Sequence, residues 1–304
     1  MKSAVTLATV TTEFLERPGL APSTRETYEL TLGLLLQKYG SWSIEIISKQ
    51  TLVEYLNNLS HLKYTTHHKH QAILQSLLNF AVEQGYIKSN PIRGLKQRLP
   101  EREKGEHKSD ETIRYLTQSQ LNILYSAVKD DLRLSTIVHL LHRTGCRIGE
   151  LLALNIDSVD IKNQKFQVLG KGNKQRWCFY SDDAASMLAK YLKYSRHQNT
   201  NALFTAQHPV TRKVSRISYH TLHDYWRETT NKYPHLQGVR IHDLRHTFAT
   251  ERVGLISIEE LCSLMGHESI QTTLRYAKVT SQKSESAARH ALNILINSDQ
   301  KADL

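Results

Sequence analysis

The chain has 304 residues, 39% of them hydrophobic and 23% charged, a balance that suits a globular protein with cores to bury and excludes a disordered chain. Three cysteines, Cys146, Cys178 and Cys262, form no C-x-x-C pair, which argues against a disulfide scaffold or a zinc site and for free thiols in a reducing cytoplasm. Lys and Arg outnumber Asp and Glu by 40 to 29, and the net charge of +11 points to an acidic partner, nucleic acid above all. The excess is uneven: residues 1–110 hold 14 basic and 11 acidic side chains, residues 111–304 hold 26 and 18.

At the start, "KSAVTLATVTT" has a faint signal-peptide character, but Glu13 and Glu16 follow at once and no A-x-A site appears, so a cytoplasmic protein is expected. No apolar run approaches the length of a membrane span, and no membrane partner is expected. The first ninety residues have helical periodicity only. "STRETYELTLGLLLQKYG" opens on a capping-box pattern, Ser23 to Glu26, and puts Tyr28, Leu32, Leu35 and Tyr39 on one face. "TTHHKHQAILQSLLNFAVEQG" does the same with Ile73, Leu77 and Phe80 and stops at Gly85. With segments near 4–16 and 48–60 this makes a four-helix unit over residues 1–95, closed by Asn90-Pro91. Residues 96–111 are charged, lack an apolar face and include Pro100 and Gly105, the composition of a solvated linker.

A second domain is expected over residues 112–304. Thr117 and Gln120 form a capping box, and Leu121, Leu124, Tyr125 and Val128, then Leu134, Ile137, Val138 and Leu141, follow the i, i+3, i+4, i+7 pattern. "KFQVLGKGNKQRWCFY" breaks that period: it alternates around Phe166 and Val168, turns at "GKGN", and alternates again through Trp177 and Phe179, the mark of a β-hairpin with a basic tip. Helical patterns resume from Asp182 to the end. The fold class expected is mainly α with one small antiparallel β-sheet.

The chemistry-bearing positions are individually modest. In "HDLRHTFAT", helical spacing puts His242, Arg245 and Ala249 on one face with His246 round the side. Arginine cannot ligate a metal, so the pair suits a phosphate better than a cation. Arg147 opens a helix after Gly145, with Glu150 one turn on; Lys171 sits at the hairpin tip, an ordinary place for a solvated lysine. His267 follows a glycine, and Tyr276 lies nine residues further in a helical pattern.

In this order and context these residues resemble the R…K…H-x-x-R…H…Y motif of the tyrosine recombinases, the lambda-integrase family. They are Arg147 in "TGCRIGELLAL", Lys171 in "GKGNKQR", His242 and Arg245 in "HDLRHTFAT", His267 in "LMGH" and Tyr276 in "TTLRYAKV". The likeness extends to "LAPSTRETYELTL" and "HHKHQAILQSLLNFAVEQGYIKSNPI", similar to the family's N-terminal core-binding, SAM-like domain, although "HHKH" stands where many relatives carry arginines.

The resemblance implies a metal-independent enzyme without a cofactor. It implies a clamp on double-stranded DNA at a specific recombination site, and cleavage and rejoining through a 3′-phosphotyrosyl intermediate. Arg147 and Arg245 would clamp the phosphate, His267 would donate to it, Lys171 would protonate the leaving 5′ oxygen, and His242 would help Tyr276 lose its proton; Glu150 would orient Arg147. Arg25, Lys69 and His70 are the DNA contacts expected of the first unit. Four protomers on two sites would pass through a Holliday junction, each giving a neighbour its C-terminal helix, with Ala288, Ala291, Leu292 and Leu295 on one face. The short chain implies a Xer-like, transposon-resolving or plasmid-resolving enzyme working on the nucleoid. Two alternatives are a type IB topoisomerase-like DNA-relaxing enzyme and an inactive DNA-binding relative.

Overall fold

A computed structural model describes residues 5–106, 113–170 and 174–277. The chain divides into two compact units, Met1–Thr112 and Ile113–Leu304.

The first unit is built from α1 (Leu7–Glu16), α2 (Pro22–Tyr39), α3 (Lys49–Asn58) and α4 (Tyr64–Glu83). Phe14, Leu32, Leu35, Leu52, Leu74 and Leu77 from the four helices pack into one core. The faces read from the sequence are those buried, with Tyr28 and Phe80 at the core's margin. The expected cap of α2 is wrong. The helix starts at Pro22, ahead of Ser23, and Ala21 before it makes no side-chain cap. Proline has a preset φ and no N–H to satisfy, so it starts the helix without help. Residues 96–106 also differ from a free linker. Arg98 bonds both carboxylate oxygens of Glu106 at 2.7 Å, and Glu106 accepts from the Tyr64 N–H at 2.7 Å. Gln71 on α4 donates to the Leu95 carbonyl at 3.0 Å. Polar bonds thus fasten a stretch that has no apolar face. Arg25 is half-buried near the start of α2, while Lys69 is exposed and His70 half-buried on α4.

The second unit is mainly α with small antiparallel sheets. Its helices are α5 (Gln118–Val128), α6 (Leu132–Thr144), α7 (Ile148–Ala153), α8 (Asp182–Tyr194), α9 (Tyr219–Asn231), α10 (Asp243–Arg252), α11 (Ile258–Met265) and α12 (Ile270–Ala277). The Thr117–Gln120 capping box forms at α5. Helix α6 is buried along Leu134, Ile137, Val138 and Leu141 and serves as the central element of the core. One sheet runs β1 (Val159–Asp160), β2 (Lys165–Leu169), β3 (Gln175–Phe179), with Phe166 opposite Cys178 and Val168 opposite Arg176.

The hairpin is where expected, but the alternation on β3 is the reverse of an apolar-in reading. Trp177 and Phe179 stay 43% and 55% exposed, while Cys178 and Arg176 face inward. A second sheet, β4 (Thr205–Gln207) with β5 (Val214–Arg216), interrupts the region expected to be all helix. Strands of three residues carry too little period to be read. The thiols are free, Cys146 and Cys178 buried and Cys262 half-buried.

Candidate active site

The site is assembled at the end of one helix. Helix α11 stops at Gly266, whose φ of +62° favours glycine, and its last carbonyls have no partner within the helix. Three arginines take them, one each: Arg176 Nε donates to Leu264 at 3.1 Å, Arg245 Nη2 to Met265 at 2.7 Å and Arg147 Nη2 to Gly266 at 3.4 Å. The negative end of the helix dipole favours these cations there. Arg245 also donates to the Gly145 carbonyl, at the αL turn that ends α6. It is 2% exposed, so its guanidinium is held by two helix termini from two sides. A Cβ on Gly266 would stand 2.9 Å from Arg176 atoms, so the close approach of arginine to backbone requires glycine here as well.

Glu150 is the carboxylate that binds this group. Its Oε2 accepts from the Arg147 N–H at 2.8 Å, where it caps α7, and its Oε1 accepts from the Arg147 guanidinium at 3.0 Å. Arg176 bonds it with both Nη atoms, at 3.0 and 2.7 Å. Burial pushes the Glu150 carboxyl up, but the bonds from Arg176 and Arg147 outweigh it and leave it below the usual range. Two of the three guanidiniums are thus tied to this one carboxylate, and Arg245 packs behind them on backbone carbonyls. Burial first, then Arg147 and Arg176, hold Arg245 down to about 10. The cluster sets three guanidiniums against one carboxylate, and forked donors of this kind match a phosphate.

His267, directly after the αL turn, has its Nδ1 2.8 Å from Thr273 Oγ1. Burial, Arg245, Arg147 and Arg176 push its imidazole down to about 4. Tyr276 on α12 is 2% exposed and packs with Phe248, Leu261 and Met265. Its ring lies parallel to His267 with centroids 6.4 Å apart. Burial raises its phenol, against the pull of Arg245, Arg275 and Arg147. A cleft of about 460 Å³ opens beside these groups, lined by Arg147, Gly170, Lys174, Arg176 and His267.

Arg147, His242, Arg245, His267 and Tyr276 therefore come together, with Glu150 holding Arg147. Lys171 lies outside the described residues; Gly170 and Lys174 beside it line the cleft, with the Gly170 N–H donating to the Lys174 carbonyl at 2.8 Å. The imidazole in hydrogen-bond range of Tyr276 Oη is His246, through Nδ1 at 2.8 Å, not His242, which meets His246 edge-on at 4.7 Å. Sequence reasoning also misses Arg176. A signal for it exists, since on β3 it shares a face with Cys178. Among the described residues no three His, Cys, Asp or Glu side chains gather as a metal site, and no helix is long and apolar enough to cross a membrane.

A cation cluster stands beside a buried tyrosine on this helical frame, a donor set whose chemistry suits an anionic group. The chain belongs to the Phage integrase family, whose model matches residues 114–283. It is 29% identical over 216 residues to the tyrosine recombinase XerC of Vibrio cholerae serotype O1, a match covering 69% of this chain and 65% of that relative, just under two thirds of its length. In fold it is similar to the Tn1549 transposon integrase in complex with a circular intermediate DNA, with a TM-score of 0.71 at 18% identity over 89% of this chain and 94% of the other. It is likewise similar to a lambda integrase (75–356) dimer bound to a COC′ core site, with a TM-score of 0.69 at 17% identity over 90% and 95%.

Proposed function

We propose that the protein is a site-specific DNA recombinase in which Tyr276 attacks a scissile phosphate held by Arg147, Arg245 and His267, with His242 at the start of the helix that carries Arg245. The observation that carries this is the convergence of three guanidiniums on one helix end next to a buried tyrosine. The phenol suits the task because it leaves more readily than an alkoxide, so the covalent 3′-phosphotyrosyl bond preserves the energy for rejoining. As the phosphorane forms, charge grows on its non-bridging oxygens, where preorganised arginines and His267 act most strongly. The P–O5′ bond breaks, and Lys171 supplies the proton that O5′ needs. A 5′-hydroxyl of the partner strand then attacks the phosphotyrosine and frees Tyr276.

The rest follows the same reading. Double-stranded DNA is the partner, with Arg25, Lys69 and His70 in residues 1–95 and the catalytic groups in residues 112–304 acting on one duplex. Four protomers on two sites pass through a Holliday junction. The C-terminal segment proposed to join them, with Ala288 and Leu292, lies outside the described residues. The recombinase and integrase names of the relatives support this over DNA relaxation. Incubation with fragmented DNA, denaturation and sequencing of what stays attached tests it. One recurrent sequence with cleavage at a fixed position is expected. Attachment without sequence preference would favour a relaxing enzyme, and no attachment an inactive relative.

A further inference from the structure

Tyrosine must lose a proton as it attacks, and only about a thousandth of a free phenol is ionised at pH 7. Burial makes the Tyr276 phenol harder still to ionise. A group must therefore receive the proton. The side chain in position is His246. Its Nδ1 lies 2.8 Å from Tyr276 Oη, and the two rings stand 5.7 Å apart at 47°. It neighbours Arg245 on α10, so the phosphate clamp and the tyrosine's partner are carried by one rigid backbone segment.

Resting on the assignment of Tyr276 as nucleophile, we propose that His246 is a catalytic residue of this site, which aims the Tyr276 hydroxyl and accepts its proton during attack. The balance is simple. The Tyr276 O–H bond breaks and its proton moves to Nδ1; the Oη–P bond forms as the P–O5′ bond breaks, and O5′ takes its proton from the general acid. His246 is left as an imidazolium. When a 5′-hydroxyl attacks the phosphotyrosyl phosphorus, its proton passes to the deprotonated general acid, the P–Oη bond breaks and His246 returns its proton to Oη, so both residues are restored over one cycle.

The surroundings suit a base that works only on loaded enzyme. Burial, then His242, Arg275 and Arg240, push the imidazole down to about 4, while Asp243 pulls it up. Asp243 is itself paired with Arg240 at 2.8 Å. In the DNA-free site His246 is thus neutral, and Nδ1 is the ring nitrogen that faces the phenol. A phosphate bound among the same cations opposes their effect, so the base strengthens when its substrate arrives.

The test is single-turnover cleavage of a nicked suicide substrate by the full chain at pH 6 to 9. His246→Phe keeps a ring and removes the nitrogen. Cleavage should slow by about 10²- to 10⁴-fold at pH 7, with DNA affinity kept, and should climb with pH more steeply than the wild type as the phenol ionises unaided. A fluorinated tyrosine of lower pKa placed at position 276 should restore much of the lost rate. If His246→Phe does not bind DNA like the wild type, His246→Asn, which keeps a polar atom near Nδ1 but is no base, is read in the same way. Wild-type cleavage, or slow cleavage with an unchanged pH profile and no rescue, overturns the proposal. If the wild type itself forms no adduct, the recombinase reading falls and this one with it.

Discussion

Arg176 reaches across from the inner face of β3 and closes a two-pronged pair on Glu150, Nη1 to Oε1 at 3.0 Å and Nη2 to Oε2 at 2.7 Å. Their side chains are 12% and 7% exposed, so the pair is largely out of water. It connects the hairpin to the start of α7, where Arg147 stands.

Breaking that pair should cost more than a surface ion pair does. Arg176→Met leaves Glu150 with Arg147 alone, and losing one partner of a buried pair typically costs about 3–5 kcal/mol. The contribution also follows pH. The folded Glu150 carboxyl lies below its unfolded value, so its stabilisation is complete above the ordinary glutamate range and is lost as pH falls through the folded value. Chemical melts at pH 7 and pH 3.5 should show a large gap between wild type and variant at the first and a smaller gap at the second. Equal gaps would mean the carboxylate is not what Arg176 serves.

Gly145 is the second conformational requirement. It lies at φ +62°, and a Cβ there would stand 2.3 Å from Phe248 Cδ1. Gly145→Ala should lose about 1–2 kcal/mol to the left-handed backbone and roughly 1–3 kcal/mol more to overpacking. It also moves the carbonyl that Arg245 holds, so cleavage should fall with stability. A thermal melt and a cleavage assay on one preparation check both. An unchanged melting temperature would show that Phe248 yields freely to the added methyl.

His246 and His267 are both pushed down to about 4, well below the ordinary histidine value near 6.5. The unfolded chain then binds two protons that the folded one refuses. Stability is whole above pH 6.5 and declines as pH falls toward 4. The melting temperature of the DNA-free protein should drop between pH 7 and 4.5, and replacing both residues by Asn should lessen that drop, leaving the share of His70, His139 and His242, which burial also pushes down. A slope unaffected by the double variant would place the titration elsewhere.

Much of this is legible in the sequence, for a physical reason. The faces of α2, α4, α5 and α6 are long enough for helical period to show, and Gly145 stops α6 where its backbone demands glycine. The motif residues stand out by their order. What escapes has a reason too. Arg176 is hidden because the exposed aromatics Trp177 and Phe179 mimic an inward face, and an ion pair buried opposite them leaves no hydrophobic mark. His246 lies off the His242–Arg245 face, and only the approach of α12 gives it Tyr276 as a partner. The polar fastening of residues 96–106 joins Glu106 to Arg98 and to the distant Tyr64, and shows in no local pattern.

Lys171 is testable by its chemistry. If it protonates the leaving oxygen, Lys171→Ala should slow cleavage by about 10²- to 10⁴-fold with affinity nearly unchanged. A substrate with sulfur at the 5′-bridging position releases a thiolate without protonation and should restore most of that rate. It should not rescue Arg147→Ala, whose charge is still needed. Failure of the sulfur substrate to rescue Lys171→Ala would move the acid role elsewhere, Lys174 at the cleft being the first alternative.

The nucleophile itself decides the account. A nicked suicide substrate carrying the trapped site should give, with the wild type, a DNA adduct that survives denaturation and maps by peptide mass to Tyr276. Tyr276→Phe should bind the same DNA with similar affinity and form no adduct. An adduct that persists in Tyr276→Phe, for instance on Tyr219 or Tyr225, both exposed on α9, would contradict it.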